Sequence, residues 1–168
     1  MKELKLYTIV GILFSLITGT LLHFTYEWSG NSPVIALFSA VNESTWEHMK
    51  LVFFPMLLCS IYMNKKLKHK YPCVTSALLF GILLGTLLIP TIFYTYSGVL
   101  GRNLPILDIS TFIISVLLSF WAVYKLSLSC RLEDFQDLLE ILVLFFAIGF
   151  LLFTYHPPAI GIFMDQTR

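Results

Sequence analysis

The sequence predicts an all-α protein, a polytopic transmembrane helix bundle with five spans that forms one domain over residues 1–168. Composition is the first support, since 57% of the residues are hydrophobic and only 12% are charged, against roughly 25% charged in a soluble domain. Apolar stretches of about 20 residues recur along the chain, and each is long enough to cross a bilayer as a helix. The 11 Lys and Arg residues against 10 Asp and Glu exclude a basic nucleic-acid-binding face.

The first two predicted spans cover residues 6–26 and 44–63. The first is expected to stay in the protein, because its apolar region is too long for a signal peptide and no small-residue cleavage site follows. The purely apolar part of the second span, Leu51 to Met63, is too short to cross a bilayer. Its helix must therefore begin near Asn42 to Thr45. That extension carries four polar or aromatic side chains toward the membrane, namely Trp46, Glu47, His48 and Lys50.

The remaining predicted spans cover residues 72–96, 104–126 and 138–155. Pro55 and Pro90 lie inside spans, where we expect kinks. Basic residues predict the orientation N-in, C-out. Eight of them lie in segments on the same side of the membrane as the N-terminus, and two, Arg102 and Arg168, lie on the opposite side. The eight are Lys2, Lys5, Lys65, Lys66, Lys68, Lys70, Lys125 and Arg131.

The cysteines and the G-x-x-x-G glycines indicate no catalytic or metal-binding role. Cys59, Cys73 and Cys130 fall within the membrane or on the cytoplasmic side, where thiols stay reduced, and no two form a C-x-x-C pair. We therefore expect neither a disulfide nor a thiolate metal site. Gly81 and Gly85, spaced G-x-x-x-G in the third span, predict a face for close helix packing.

Ionisable side chains gather at the predicted outer ends of the spans. Such groups are costly at membrane depth, so each needs a partner or a wet cavity. His23 with Glu27 and Glu43 with Glu47 are spaced i,i+4, which favours a shared helix face. We expect six side chains to converge there: His23, Glu27, Glu43, Glu47, His48 and His156. The further candidate binding residues are Tyr26, Trp46, Lys50, Tyr94, Tyr96 and Asp108, of which Tyr26, Trp46, Tyr94 and Tyr96 would form the walls of the space.

Three sequence segments carry a family resemblance: N-E-S-T-W-E-H-x-K from Asn42, F-Y-T-Y-S-G from Phe93 and F-T-Y-H-P-P from Phe153. With them the chain resembles an uncharacterised family of small bacterial multi-pass membrane proteins with an N-E-S-x-W-E-H-x-K signature. The resemblance spans most of the chain. It implies bacterial origin and topology only, and it assigns no activity. We expect a multi-pass protein of the cell membrane, the cytoplasmic membrane in a bacterium.

The first functional hypothesis is a metal-dependent membrane enzyme that hydrolyses a lipid or a lipid-linked substrate. Zinc suits histidine and carboxylate ligands, and a catalytic zinc keeps one position open for water. His23, His48 and His156 would bind the metal together with Glu43 or Glu47. The remaining glutamate would act as the general base.

Two alternatives stay open. A transporter or small-molecule binder could couple protons through Glu47 and His48, and a homodimer would supply the second half that its five spans lack. A structural protein without catalysis could instead pair its charges internally, with membrane lipids as its partners and no nucleic acid. The pairs would be Glu43 or Glu47 with Lys50, His23 with Glu27, and Arg102 with Asp108.

Overall fold

A computed structural model of the protein describes residues 1–165, and Arg168 of the predicted outer tail lies outside them. The predicted fold class is confirmed as all-α, with 79% helix and no strand in the described part of the chain. Short 3-10 turns cover Glu133–Phe135 and Gly161–Phe163. The α-helices are α1 (Lys2–Trp28), α2 (Pro33–Ala36), α3 (Thr45–Leu67), α4 (Val74–Leu100), α5 (Pro105–Ser129) and α6 (Gln136–Phe153).

Four helical segments are long and apolar enough to cross a membrane: α1, α4, α5 and Glu133–Phe153, which contains α6. The remaining long helix, α3, carries Glu47, Lys50, Lys65 and Lys66 and is not among these four. It is nonetheless heavily buried and packs against α1 and α4. The other helices therefore shield Glu47 and Lys50 of α3, whereas Lys65 and Lys66 at its end are exposed.

The start of α3 agrees with the prediction from span length. The helix begins at Thr45, and the Ser44 hydroxyl accepts a hydrogen bond of 3.3 Å from the Glu47 amide, the usual contact of an N-cap. The Asn42 side chain in turn accepts a bond of 2.9 Å from the Ser44 amide. These bonds place His48 in the first turn of a 23-residue helix, which is about 34 Å long.

The predicted glycine face is confirmed where α4 meets α3 and α5. A β-carbon at Gly81 would lie 2.4 Å from Cγ2 of Val123, and one at Gly85 would lie 2.5 Å from the Ser119 hydroxyl oxygen. Ser115 and Ser119 on α5 are buried as well. Small residues on both helices therefore permit a close approach, as the spacing predicts.

The prediction of unpaired cysteines is wrong for Cys73 and Cys130. They form a disulfide that joins the start of α4 to the end of α5, with their Cα atoms 5.2 Å apart. The two residues are 57 positions apart in the sequence, so only the antiparallel packing of α4 and α5 brings them together. Cys59 is free and buried, as predicted.

Candidate functional site

Three of the predicted site residues form a compact group at one end of the bundle. His23 lies near the end of α1, Glu43 lies in the loop before α3, and His48 lies in the first turn of α3. One oxygen of Glu43, Oε2, is 3.3 Å from Nε2 of His48 and 3.8 Å from Nε2 of His23. A ligand atom from each of the three side chains lies within 4.8 Å of the other two. This is a candidate metal site, which we call the His–Glu group.

The tautomer of His48 follows from its other ring nitrogen. Nδ1 lies 2.9 Å from the carbonyl oxygen of Ser44, and a carbonyl only accepts, so we assign the proton of the neutral ring to Nδ1. The lone pair of Nε2 then points toward the Glu43 carboxylate. Two acceptors 3.3 Å apart attract each other only when a proton or a cation lies between them. A histidine held by a backbone carbonyl in this way is typical of metal ligands.

A proton can take the cation's position. With Nε2 of His48 protonated, donation from that ring holds the pKa of the Glu43 carboxyl below its ordinary value, although partial burial acts in the opposite direction. Glu43 therefore stays anionic at neutral pH with or without a metal. An anionic oxygen beside two imidazole nitrogens is a donor set that suits zinc.

A cavity of about 570 Å³ opens beside the His–Glu group, within the usual size range of ligand pockets. Polar and apolar side chains share its lining, and on two helices an apolar residue lies about one turn farther from the helix end than a polar one, as Gly19 does relative to His23 and Phe112 relative to Asp108. The polar residues in the lining are Thr20, His23, Glu43, Thr45, His48, Asn103, Asp108 and Thr111. The apolar ones are Gly19, Phe24, Leu51, Ile89, Phe93, Pro105, Ile109 and Phe112.

Thr45 is a site residue that the sequence reasoning missed. It lines the cavity and is only 3% exposed, and its hydroxyl has no hydrogen-bond partner in the described part of the chain. Its position three residues before His48 places both on one face of α3, and that spacing could have identified it. A buried hydroxyl without a partner is costly, so a ligand that bonds to it would gain stability.

Asp108 and Tyr96, two predicted binding residues, form a second polar contact at this end of the bundle. The Tyr96 hydroxyl donates a hydrogen bond to Oδ1 of Asp108, and this bond joins the C-terminal end of α4 to the N-terminal end of α5. Asp108 also lines the cavity. The structure therefore places a second carboxylate, held in position by a tyrosine, in the cavity beside the His–Glu group.

Glu47, predicted as catalytic, lies outside this group in a buried ion pair. Its Oε2 atom is 2.6 Å from Nζ of Lys50, and it also accepts a hydrogen bond of 3.0 Å from the Val41 amide. Lys50 donates further bonds to the carbonyl of Ala36 and the hydroxyl of Thr154. Neither Glu47 nor Lys50 is among the described residues that line the cavity, because their side chains bond to the segment before α3 and to Thr154 after α6; a direct role for them at the site stays a prediction.

The remaining predicted residues do not line the cavity in the described part of the chain, and their place in a common site stays a prediction. Glu27, Tyr94 and His156 are exposed, and the described structure includes neither Glu27 nor His156 among its candidate metal ligands. The Tyr26 amide donates to Ser39. The indole of Trp46 packs against α6 and the second 3-10 turn, so it does not line the cavity; its ring partners are Phe150, Phe153 and Phe163.

Fold and site together define an all-helical protein with four membrane-length apolar helices and a His–Glu group beside a cavity lined by both polar and apolar side chains. The chain belongs to a family of unknown function, DUF6512, whose family model matches residues 1–168. The resemblance to an uncharacterised family is thereby confirmed over the whole chain. Neither a curated protein nor a solved structure matches the chain.

Proposed function

We propose that this protein is a zinc-dependent hydrolase of the bacterial cell membrane, and that it cleaves a lipid-like substrate at the His–Glu group. One observation carries the proposal: the three ligand atoms of His23, Glu43 and His48 lie within 4.8 Å of one another beside a cavity of about 570 Å³. Three protein ligands with a fourth position for water are the usual composition of a catalytic zinc site. This set replaces the predicted one, which included His156.

Asp108 is the residue we assign as general base, in place of Glu47. It shares the cavity with the His–Glu group, and the Tyr96 hydroxyl holds its carboxylate in position. His23, Glu43 and His48 would hold the zinc ion, which would supply an activated water for ester cleavage. Asp108 would accept a proton from the attacking water as the water oxygen bonds to the carbonyl carbon. The carbon–oxygen bond to the alcohol then breaks, and Asp108 returns the proton to the leaving oxygen.

The cavity supports an amphiphile as the substrate. Polar side chains such as His23 and Asp108 share its lining with apolar ones such as Ile89, which suits a molecule with both a polar group and a hydrocarbon chain. The unpartnered Thr45 hydroxyl can donate to an oxygen of the reacting group. Such a donor lowers the energy of negative charge that develops on a carbonyl oxygen during attack.

We also propose that α3 is a fifth span and that the N-terminus is cytoplasmic. At about 34 Å, α3 is long enough for the hydrocarbon core, and its packing against α1 and α4 supports a central position. The orientation rests on the eight basic residues of the N-terminal side against two opposite. It places the His–Glu group at the outer membrane face.

A second function is favoured by the contact between Glu43 and His48, since a proton between them would satisfy both side chains. In that case the cavity belongs to a binding protein or a proton-coupled transporter that holds a small amphiphile without cleaving it. Zinc content distinguishes the two.

The test is elemental analysis of the protein purified without reductant, after zinc loading and removal of unbound metal. We expect His48→Ala to hold about one zinc ion per chain fewer than the natural sequence. His156→Ala is the matched control, because it removes a histidine outside the group, and its zinc content should equal that of the natural sequence. Equal zinc content in the natural sequence and in His48→Ala would contradict the enzyme and favour the binding protein.

Activity is tested with a fatty-acyl ester of 4-nitrophenol in detergent micelles. Asp108→Asn should keep its zinc and lose about 10²–10⁴-fold in rate, the usual contribution of a general base. If the zinc-loaded protein cleaves no acyl ester, the hydrolase is contradicted, and the His–Glu group is a metal site without this activity. An unchanged rate for Asp108→Asn would remove Asp108 from the mechanism.

A further inference from the structure

A second group of metal-ligating side chains lies at the opposite end of the bundle. Cys73 directly precedes α4, Cys130 directly follows α5, and Glu133 opens the 3-10 turn that leads into α6. One ligand atom from each lies within 4.8 Å of the other two. Cys73 is buried, whereas Cys130 and Glu133 are exposed, so the group is open to water from one side.

The contact between Cys73 and Glu133 is unusual for a disulfide. Oε2 of Glu133 lies 3.3 Å from Sγ of Cys73, and the sulfur of a disulfide has no hydrogen to donate. A carboxylate and a sulfur are then two acceptors in contact. The arrangement becomes favourable when the sulfur carries a proton or when a cation lies between the two atoms.

The surroundings of this group indicate a reducing compartment. The loop that connects α3 to α4 ends at Cys73, and the chain just before it carries Lys65, Lys66, Lys68 and Lys70. In the orientation proposed above, this face is cytoplasmic, where thiols are kept reduced. A cytoplasmic dithiol would supply two electrons and two protons, give two thiols at Cys73 and Cys130, and itself become a disulfide.

We propose that reduced Cys73 and Cys130, together with Glu133, form a zinc site on the cytoplasmic face of the protein. The zinc ion displaces two thiol protons and binds both sulfurs and one carboxylate oxygen, and a water completes four-coordination. Thiolates favour zinc over harder cations such as magnesium. The bound ion joins the ends of α4 and α5 without oxidation. This inference rests on the proposed orientation and is independent of the hydrolase.

Cobalt is the probe for thiolate ligation, because thiolate-bound Co²⁺ has a charge-transfer absorption in the near ultraviolet that histidine ligands do not give. We expect the reduced full-length protein to develop this absorption with about one equivalent of Co²⁺ and to lose it when Zn²⁺ is added. Cys73→Ser should abolish it. Cys59→Ser is the matched control, since it removes the free buried cysteine, and it should keep the absorption, as should His48→Ala.

The redox state in cells is tested separately. Cells are quenched in acid, free thiols are alkylated in denaturant, and the remaining disulfides are reduced and labelled with a mass tag. We expect Cys73 and Cys130 to be alkylated in the first step. A disulfide at this stage would overturn the zinc site, as would the absence of the charge-transfer absorption in reduced protein. Neither result bears on zinc at His48, so failure here is distinguishable from failure of the hydrolase.

Discussion

Lys50 shows how the packing of a helix bundle can satisfy a buried charge. An ammonium group has three hydrogens, and Nζ of Lys50 has three acceptors: Glu47 at 2.6 Å, the Ala36 carbonyl at 2.9 Å and the Thr154 hydroxyl at 3.0 Å. Lys50 has no exposed surface, and Glu47 is 3% exposed. These contacts join α3 to the loop before it and to the residue that follows α6. Because all three hydrogens of the Lys50 ammonium group are already bonded, none is left to donate to a ligand.

Removal of either partner should therefore destabilise the protein. Loss of one member of a buried ion pair typically costs about 3–5 kcal/mol, because the other charge is left buried alone. We expect Lys50→Met and Glu47→Gln to lower the melting temperature in detergent, measured by intrinsic fluorescence. The double change Glu47→Leu with Lys50→Met should recover part of the loss, since it removes both charges.

Lys65→Met is the control for this prediction, because Lys65 lies near the end of the same helix and is exposed. The melting temperature of the Lys65→Met protein should be almost the same as that of the natural sequence. The folded fraction of Glu47→Gln should keep its zinc. If Glu47→Gln kept full stability and lost only the ester cleavage, Glu47 would be catalytic after all, as its sequence pattern predicts.

At the scale of elements, the approach of α1 to α3 positions one histidine of the site. A β-carbon at Gly19 would lie 2.4 Å from the backbone carbonyl oxygen of Leu51 and 2.6 Å from the ring of Phe112. The absence of a side chain lets α1 lie directly against α3 one turn below His23. The distance between His23 and Glu43 therefore depends on a glycine that takes no part in the chemistry.

Gly19→Ala should move α1 away from α3, because the nearest atom is backbone and cannot rotate aside. Overpacking of this kind typically costs about 1–3 kcal/mol. We expect a lower melting temperature and weaker zinc binding, measured by competition with a chromophoric chelator. Gly98→Ala is the matched control, since a β-carbon there meets nothing within 4 Å. Unchanged zinc affinity in Gly19→Ala would show that His23 does not depend on this contact.

For the whole molecule, the orientation in the membrane decides which compartment each metal site faces. We expect a cysteine placed at Ser32 to react with an impermeant maleimide added outside intact cells. A cysteine at Asn64 should react only after the membrane is opened. Both changes are made in a chain whose native cysteines are replaced by serine, and zinc content at the His–Glu group checks that this chain folds. The reverse labelling would move the His–Glu group to the cytoplasmic face.

The sequence by itself determined the helical class and the approximate positions of the five long helices, because these depend on local hydropathy and length. It also identified His23, Glu43 and His48 as members of one polar cluster. It could not choose between Glu43 and Glu47, since their i,i+4 spacing implies a shared face only if both are helical. Ser44 caps the helix and leaves Glu43 in the preceding loop, where it can turn toward the histidines.

Only the tertiary structure decided which distant residues meet. The pairing of Cys73 with Cys130, and the contacts of Lys50 with Ala36 and Thr154, depend on how whole helices and loops pack. Hydropathy along the chain carries no information on the rotation of one helix against another. That rotation is set by close contacts such as the one at Gly19. It turns three predicted ligands toward a common cavity and leaves His156 exposed, because a side chain's position along the chain does not fix the direction in which it points.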